Sequence, residues 1–178
     1  MVEIVQNGHK ALRSIAEEIK VEDITKPKIQ KILKDMGEAL DSQYDGVAIA
    51  APQIGLTLRI FLMSGKVFDE DFITGVRPAK DKIRIHPNVI FINPVIKKIS
   101  KDKKLMAEGC LSVRPLYGKV RRATRATIEA YNEKGKKFTM DGSGLIAHIF
   151  QHETDHLEGI LFIDKAKEIH EAPTEEAY

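Results

Sequence analysis

The chain has a single cysteine, Cys110, so no intrachain disulfide can form. It has no apolar run near the roughly 18 residues that cross a bilayer, so no membrane span is expected. Its start, Met1 to Lys10, carries Glu3 and no long apolar stretch, and no secretory signal is expected there. An excess of charge is also missing. The 28 basic and 26 acidic residues give a net +2 with neutral histidines, too balanced to point to a nucleic-acid partner. There is no internal repeat and no low-complexity tract. What remains is an ordinary globular composition, 43% hydrophobic and 30% charged, which argues against wholesale disorder. At roughly 150 residues per domain, 178 residues make one domain. A chain of that length can bury about 70% of its unfolded surface, enough for a proper core.

The first helix is expected from Thr25 to Ser42. Thr25 is its candidate N-cap, Pro27 is tolerated in the first turn, and Ile29, Ile32, Leu33, Met36 and Leu40 recur on one face. Gly46 to Gly55 reads as an apolar loop and Leu58 to Met63 as a strand. Residues 64–88 are less regular, with the cluster Asp69-Glu70-Asp71 and with Pro78 and Pro87. Val89 to Ile96 is a second strand, which Pro94 restricts to an edge or a bulge. The lysine-rich stretch Lys97 to Lys104 reads as a solvated turn. Ala126–Tyr131 and Lys136–Met140 alternate around Asn132-Glu133-Lys134-Gly135, a hairpin signal. A second helix is expected from Ser143 to Leu157, with Gly159 as its stop. Helix, several strands, helix, without regular βαβ alternation, is an α+β order. The expected architecture is mixed or antiparallel strands around the second helix, with a helix near the N-terminus. Residues 1–165 form the domain, and residues 166–178 an acidic, flexible tail.

The chemistry concentrates in Gln151-His152-Glu153-Thr154-Asp155-His156. On a helix, His152 and His156 lie one turn apart on one face, where both imidazoles can grip one ion. Glu153 sits about 100° round the helix, beside such an ion without being a ligand, where a general base belongs. His148 extends the series, but it lies about 12 Å from His156 along the axis, too far to share the ion. It is a pocket-wall or surface residue. His9, His86 and His170 fall in no spaced pattern. Two histidines leave a metal site incomplete. Phe162 stands where one protease pattern has its third histidine, and Glu168 lies in the acidic tail. Cys110, in Glu108-Gly109-Cys110-Leu111-Ser112, is the best remaining donor, giving a Cys-His-His site with one open position.

With these residues in place, the sequence resembles the peptide deformylases. Gly46-Val47-Ala48-Ile49-Ala50-Ala51-Pro52-Gln53 is similar to the family's G-x-G-x-A-A-x-Q, Glu108 to Ser112 to its E-G-C-L-S, and Gln151 to His156 to its Q-H-E-x-D-H. Gly8, Leu12-Arg13 and Ile92-Asn93-Pro94 add weaker similarity, and the match spans residues 5–165.

The resemblance implies a hydrolase that removes the formyl group from N-terminal formyl-methionine of nascent polypeptides, releasing formate. It implies one divalent ion, natively Fe²⁺ with Zn²⁺, Ni²⁺ or Co²⁺ able to replace it, held by Cys110, His152 and His156. Glu153 would move the proton, while the Gln53 amide and the Leu111 backbone N–H would meet the oxyanion. Gly46, Val47, Ala48, Gly109, Leu145, His148 and Ile149 would line the substrate site. Leu145, Ile149, His152 and His156 share one helix face, so a pocket running down to the ion is natural. Asp155 either holds a ligand or pairs with a cation such as Arg122, or is an exposed helix carboxylate. A cytoplasmic monomer is expected, with formylated nascent peptides as partners; some members contact the ribosome through a basic C-terminal helix, whereas the tail here is acidic, so only transient ribosome proximity is carried over. Ala48 stands where most members have a second glycine, His148 where an apolar residue is usual, and Arg114 and Tyr117 also depart from common family residues. Two other readings stay open here: a metalloprotease using the same helix, and a metal-holding binding module with weak turnover.

Overall fold

A computed structural model describes residues 2–70, 72 and 86–171. Among these, two α-helices and eight β-strands are formed: α1 (Pro27–Asp41), β1 (Ala48–Ala50), β2 (Ile60–Met63), β3 (Val89–Ile99), β4 (Lys103–Gly109), β5 (Leu116–Ala123), β6 (Arg125–Tyr131), β7 (Lys137–Ser143), α2 (Leu145–Leu157) and β8 (Lys167–Glu171). They make a five-stranded sheet, β1-β2-β3-β6-β7, and a three-stranded sheet, β4-β5-β8. Every strand pair in both is antiparallel. The α+β expectation holds.

The five-stranded sheet is covered on both faces, and β2 shows why. Its four residues are all buried. Successive strand side chains point to opposite faces. Phe61 and Met63 join Phe91, Ile128, Ala147, Ile149, Phe150 and Leu157 under α2. Ile60 and Leu62 join Ile49, Ile92 and the α1 residues Ile29, Leu33, Met36, Ala39 and Leu40. The predicted apolar stripe of α1 is therefore core. Ile32 alone of the stripe is partly buried, packed against the same cluster. Phe61 stacks on Phe91 at 4.4 Å, and Phe150 meets Phe91 edge-on at 5.6 Å, which locks α2 to the sheet.

Several local expectations change. Helix α1 begins at Pro27, and Lys26, with no side-chain cap bond, holds the N-cap position expected of Thr25. The supposed apolar loop contains β1 and, right after it, a 3-10 turn, Ala51–Ile54. Pro94 lies within β3, a central strand, at a register shift between Ile92 and Val95, so of the two expected places, edge or bulge, it takes the bulge. The solvated turn shrinks to residues 100–102, because the lysines around it belong to β3 and β4. Helix α2 starts at Leu145, since Ser143 completes β7. Gly159, at φ 71, follows its C-cap as expected. Residues 167–171, expected in a flexible tail, form β8 instead, paired with β5 and tied by Lys119 to Glu168. Between residues 64 and 88, Gly65–Phe68 forms a 3-10 turn. Asp71 and Pro78 lie outside the described residues, as does the tail end past Pro173.

Candidate active site

Three chain segments converge where α2 meets both sheets. Gln53 sits in the 3-10 turn that follows β1, Cys110 directly follows β4, and His152, Glu153 and His156 lie on α2. The side chain of Gln151 seats that helix. It accepts from Ala123 N–H at 3.0 Å and donates to the Ala123 and Ala147 carbonyls at 3.0 and 2.7 Å. Thus α2 is bolted to β5, the strand paired to β4, and the histidines face the cysteine.

The Cys110 Sγ lies 3.2 Å from His156 Nε2, and donor atoms of Cys110, His152 and His156 all lie within 4.8 Å of one another. One soft and two imidazole donors at such spacing fit a tetrahedral cation, which would sit about 2.0–2.3 Å from each. The protonation of His156 fits as well. Burial, with His152 adding to it, holds His156 well below the usual imidazole pKa, so it is neutral, the form that binds metal. Its Nδ1 is buried without a hydrogen-bond partner among the described residues. His152 Nδ1 lies 2.6 Å from Glu108 Oε1; a carboxylate only accepts, so Nδ1 carries the proton and Nε2 is left for an ion. Burial opposes charge on His152, but the hydrogen bonds to Cys110 and Glu108 outweigh it and hold its pKa well above the ordinary value, so without an ion the ring favours a second proton, on Nε2, which a bound cation would displace.

Glu108 is the hub that the motifs did not assign. Arg122 grips it from two nitrogens, Nη2 to Oε1 at 2.7 Å and Nε to Oε2 at 3.2 Å. His148 Nε2 reaches Oε2 at 3.2 Å. Burial opposes ionisation of Glu108, yet the bonds from His148, His152 and Arg122 hold its carboxyl far below the usual range. Arg122 also donates from Nη1 to Asp155 Oδ2 at 2.6 Å, and Lys165 Nζ meets Asp155 Oδ1 at 2.7 Å. Asp155 is therefore a paired carboxylate. Glu108, His148 and His152 form a second close cluster, but there the guanidinium already occupies the carboxylate, which disfavours an added cation.

Glu153 is buried, and its Oε2 has no hydrogen-bond partner among the described residues. Burial pushes its carboxyl up to about 7, suited to taking and giving a proton near neutrality. Gln53 Oε1 accepts from Ala50 N–H at 2.8 Å, which turns Nε2 toward the Cys110 sulfur, 3.5 Å away. The loop-capping role of Gln53 and its use as a donor into the site are thus the same geometry. Gln6 holds the Leu111 carbonyl at 3.0 Å and fixes that peptide group.

A cleft of about 480 Å³ opens over these groups. All seven predicted substrate residues line it: Gly46, Val47, Ala48, Gly109, Leu145, His148 and Ile149. Arg114 and Tyr117 border it too, with Asp45, whose Oδ1 accepts from Arg114 at 2.6 Å. At Gly109 a Cβ would come within 2.5 Å of the Tyr117 ring, so any side chain there would displace that wall. His148 is a pocket-wall residue, while His9 caps a local turn through Nδ1. Glu108 and Gln151 are the participants sequence reasoning left without roles. Their signal was present: Glu108 is two residues from Cys110, on the same side of an extended chain, and Gln151 adjoins His152.

The profile of the polypeptide deformylase family matches residues 1–172. The chain is 40% identical to a peptide deformylase of Desulfitobacterium hafniense over 168 residues, covering 93% of this chain and 94% of that protein. Its fold matches the crystal structure of a peptide deformylase from Legionella pneumophila with a TM-score of 0.77 at 32% identity, covering 94% and 87% of the two chains. It matches the enzyme from Thermotoga maritima with a TM-score of 0.75 at 30% identity, covering 94% and 98%. No described helix is long and apolar enough to cross a membrane. The chain belongs to the peptide deformylases, metal-dependent hydrolases that remove the N-formyl group from nascent peptides.

Proposed function

We propose that the cluster of Cys110, His152 and His156 holds the family's divalent cation and that Glu153 moves the proton of deformylation. The observation that carries this is the convergence of one thiol and two imidazoles within 4.8 Å, at the inner end of an apolar-walled cleft. A bound divalent cation supplies Lewis acidity and lowers the pKa of a water at neutral pH. The remaining work falls to the chain. Val47, Leu145 and Ile149 receive the methionine side chain. Gln53 Nε2 and the Leu111 N–H donate to the formyl oxygen as negative charge develops there, a stabilisation typically worth about 2.7–4 kcal/mol per donor. Glu153 takes the proton of the attacking water and delivers it to the departing amine nitrogen. Asp155 holds Arg122, Arg122 holds Glu108, and Glu108 in turn orients His152.

The donor set accommodates Fe²⁺, the native ion the resemblance implies, and equally Zn²⁺, Ni²⁺ or Co²⁺ as substitutes, because thiolate and imidazole suit all of them. A thiolate ligand must stay reduced to hold the ion, which the reducing cytoplasm provides. A monomer close to the ribosome is the form in which nascent chains would reach the cleft. The test is formate release from a formyl-methionyl dipeptide. Glu153→Ala should retain the ion and lose at least about 10²-fold in turnover. Near-normal turnover would remove Glu153 from this role.

A further inference from the structure

The hydrogen bonds to Glu108 are unequal. The side chain is 2% exposed, so every lone pair of its carboxylate needs a partner within the protein. Oε1 has two short bonds, from His152 Nδ1 at 2.6 Å and Arg122 Nη2 at 2.7 Å. Oε2 has two long ones, from Arg122 Nε at 3.2 Å and His148 Nε2 at 3.2 Å. Because a carboxylate accepts, the proton of His148 is on Nε2. Removing His148 leaves Oε2 with a single long bond in a buried site. The carboxylate then gains by turning to recover a partner, and it carries the His152 ring with it. His148 also sits one helical turn before His152, the two rings in edge contact at 6.5 Å between centroids. Only 8% of His148 is exposed, and it lines the cleft beside Leu145 and Ile149.

We propose that His148 is a positioning residue: through Oε2 of Glu108 it fixes the ring orientation of His152, and so joins the wall of the substrate cleft to the metal-binding cluster. This rests on the reading of Cys110, His152 and His156 as the ligands. A side chain filling the cleft presses on His148, and His148 is one hydrogen-bonded carboxylate away from His152. An apolar residue of the same size would complete the wall but leave Oε2 short of a donor.

The experiment compares His148→Leu, which keeps the volume, with His148→Gln, which keeps a donor. Co²⁺ affinity is measured by chelator competition, and the Co²⁺ absorption bands are recorded. His148→Leu should bind about tenfold more weakly, the lower end for loss of a group supporting a ligand, with shifted bands. His148→Gln should stay within about threefold of the parent with its bands unchanged. Parent-like affinity and spectrum in His148→Leu would overturn the proposal. So would binding of two equivalents of Co²⁺ by the parent and one by His148→Leu, which would make His148 a ligand of a second site. Cys110→Ser, run in parallel, separates the two readings. If it keeps full affinity, the ligand assignment fails. If it loses affinity while His148→Leu does not, only the role of His148 fails. Should His148→Leu not fold, ¹⁵N NMR of the metal-free parent decides. A slowly exchanging Nε2 proton on His148 supports the bond to Glu108, and a freely exchanging ring contradicts it.

Discussion

The two sheets solve different problems with opposite chemistry. The five-stranded sheet lies between α1 and α2, and its β2 is apolar on both faces. The three-stranded sheet is rich in charged residues, and what it buries includes Glu108 and Arg122. The first stabilises by removing apolar surface from water, at about 25 cal/mol per Å². The second holds desolvated charges in register, which contributes little net stability but fixes where a cysteine and a histidine meet. Helix α2 belongs to both. Ala147, Phe150 and Leu157 face the first sheet's core, while His148, Gln151 and His152 make their bonds to the second sheet.

Substitutions on the two sides should therefore separate stability from metal binding. Phe150→Ala should cost about 3–5 kcal/mol in denaturant unfolding of the metal-free protein. Co²⁺ affinity of the folded fraction should change little. Arg122→Ala should cost a similar 3–5 kcal/mol, because it leaves Glu108 charged, buried and short of its strongest partner. Unlike Phe150→Ala, it should also weaken Co²⁺ binding by about tenfold or more. Equal effects on metal affinity would erase the distinction between the sheets.

A smaller loss is expected where the helix meets β5. Gln151→Leu removes the partners of the Ala123 N–H and carbonyl, and should cost about 1–3 kcal/mol. Its midpoint of urea unfolding would show this with an unchanged slope. The smallest effect belongs to the periphery. The hydrogen bond from Arg13 holds Asp164 below its ordinary pKa of 3.8, against slight desolvation. The folded value is depressed, so the contribution is fully present above the ordinary value and is lost as pH falls through the depressed one. Asp164→Asn should cost below about 1 kcal/mol at neutral pH, since the pair is more than a third exposed. Its difference from the parent should fade in unfolding curves taken at progressively lower pH below 3.8.

The same contrast explains what could be read from the sequence. Helix α1 was legible because its burial is one-sided and leaves a stripe of period 3.6. The β6–β7 hairpin was legible because Asn132 Oδ1 accepts from Lys134 and Lys136 in a turn that its residue types announce. Strand β1 was not, since Ala48, Ile49 and Ala50 are buried on both faces and show no alternation. Strands β4 and β8 were hidden by lysines and acids, whose place in a sheet depends on partners distant in sequence, such as Lys119 for Glu168. The cluster of Cys110, His152 and His156 could be proposed because helical spacing and donor chemistry are local properties. The part played by Glu108 could not. A carboxylate between Arg122, His148 and His152 acquires its role only when β4, β5 and α2 are brought together.

X-ray absorption at the metal edge of the Zn²⁺-loaded protein tests the central claim most directly. The predicted shell contains one sulfur at about 2.3 Å and two imidazole nitrogens at about 2.0–2.1 Å, with the sulfur absent in Cys110→Ser. A shell of nitrogen and oxygen alone in the parent would contradict the account.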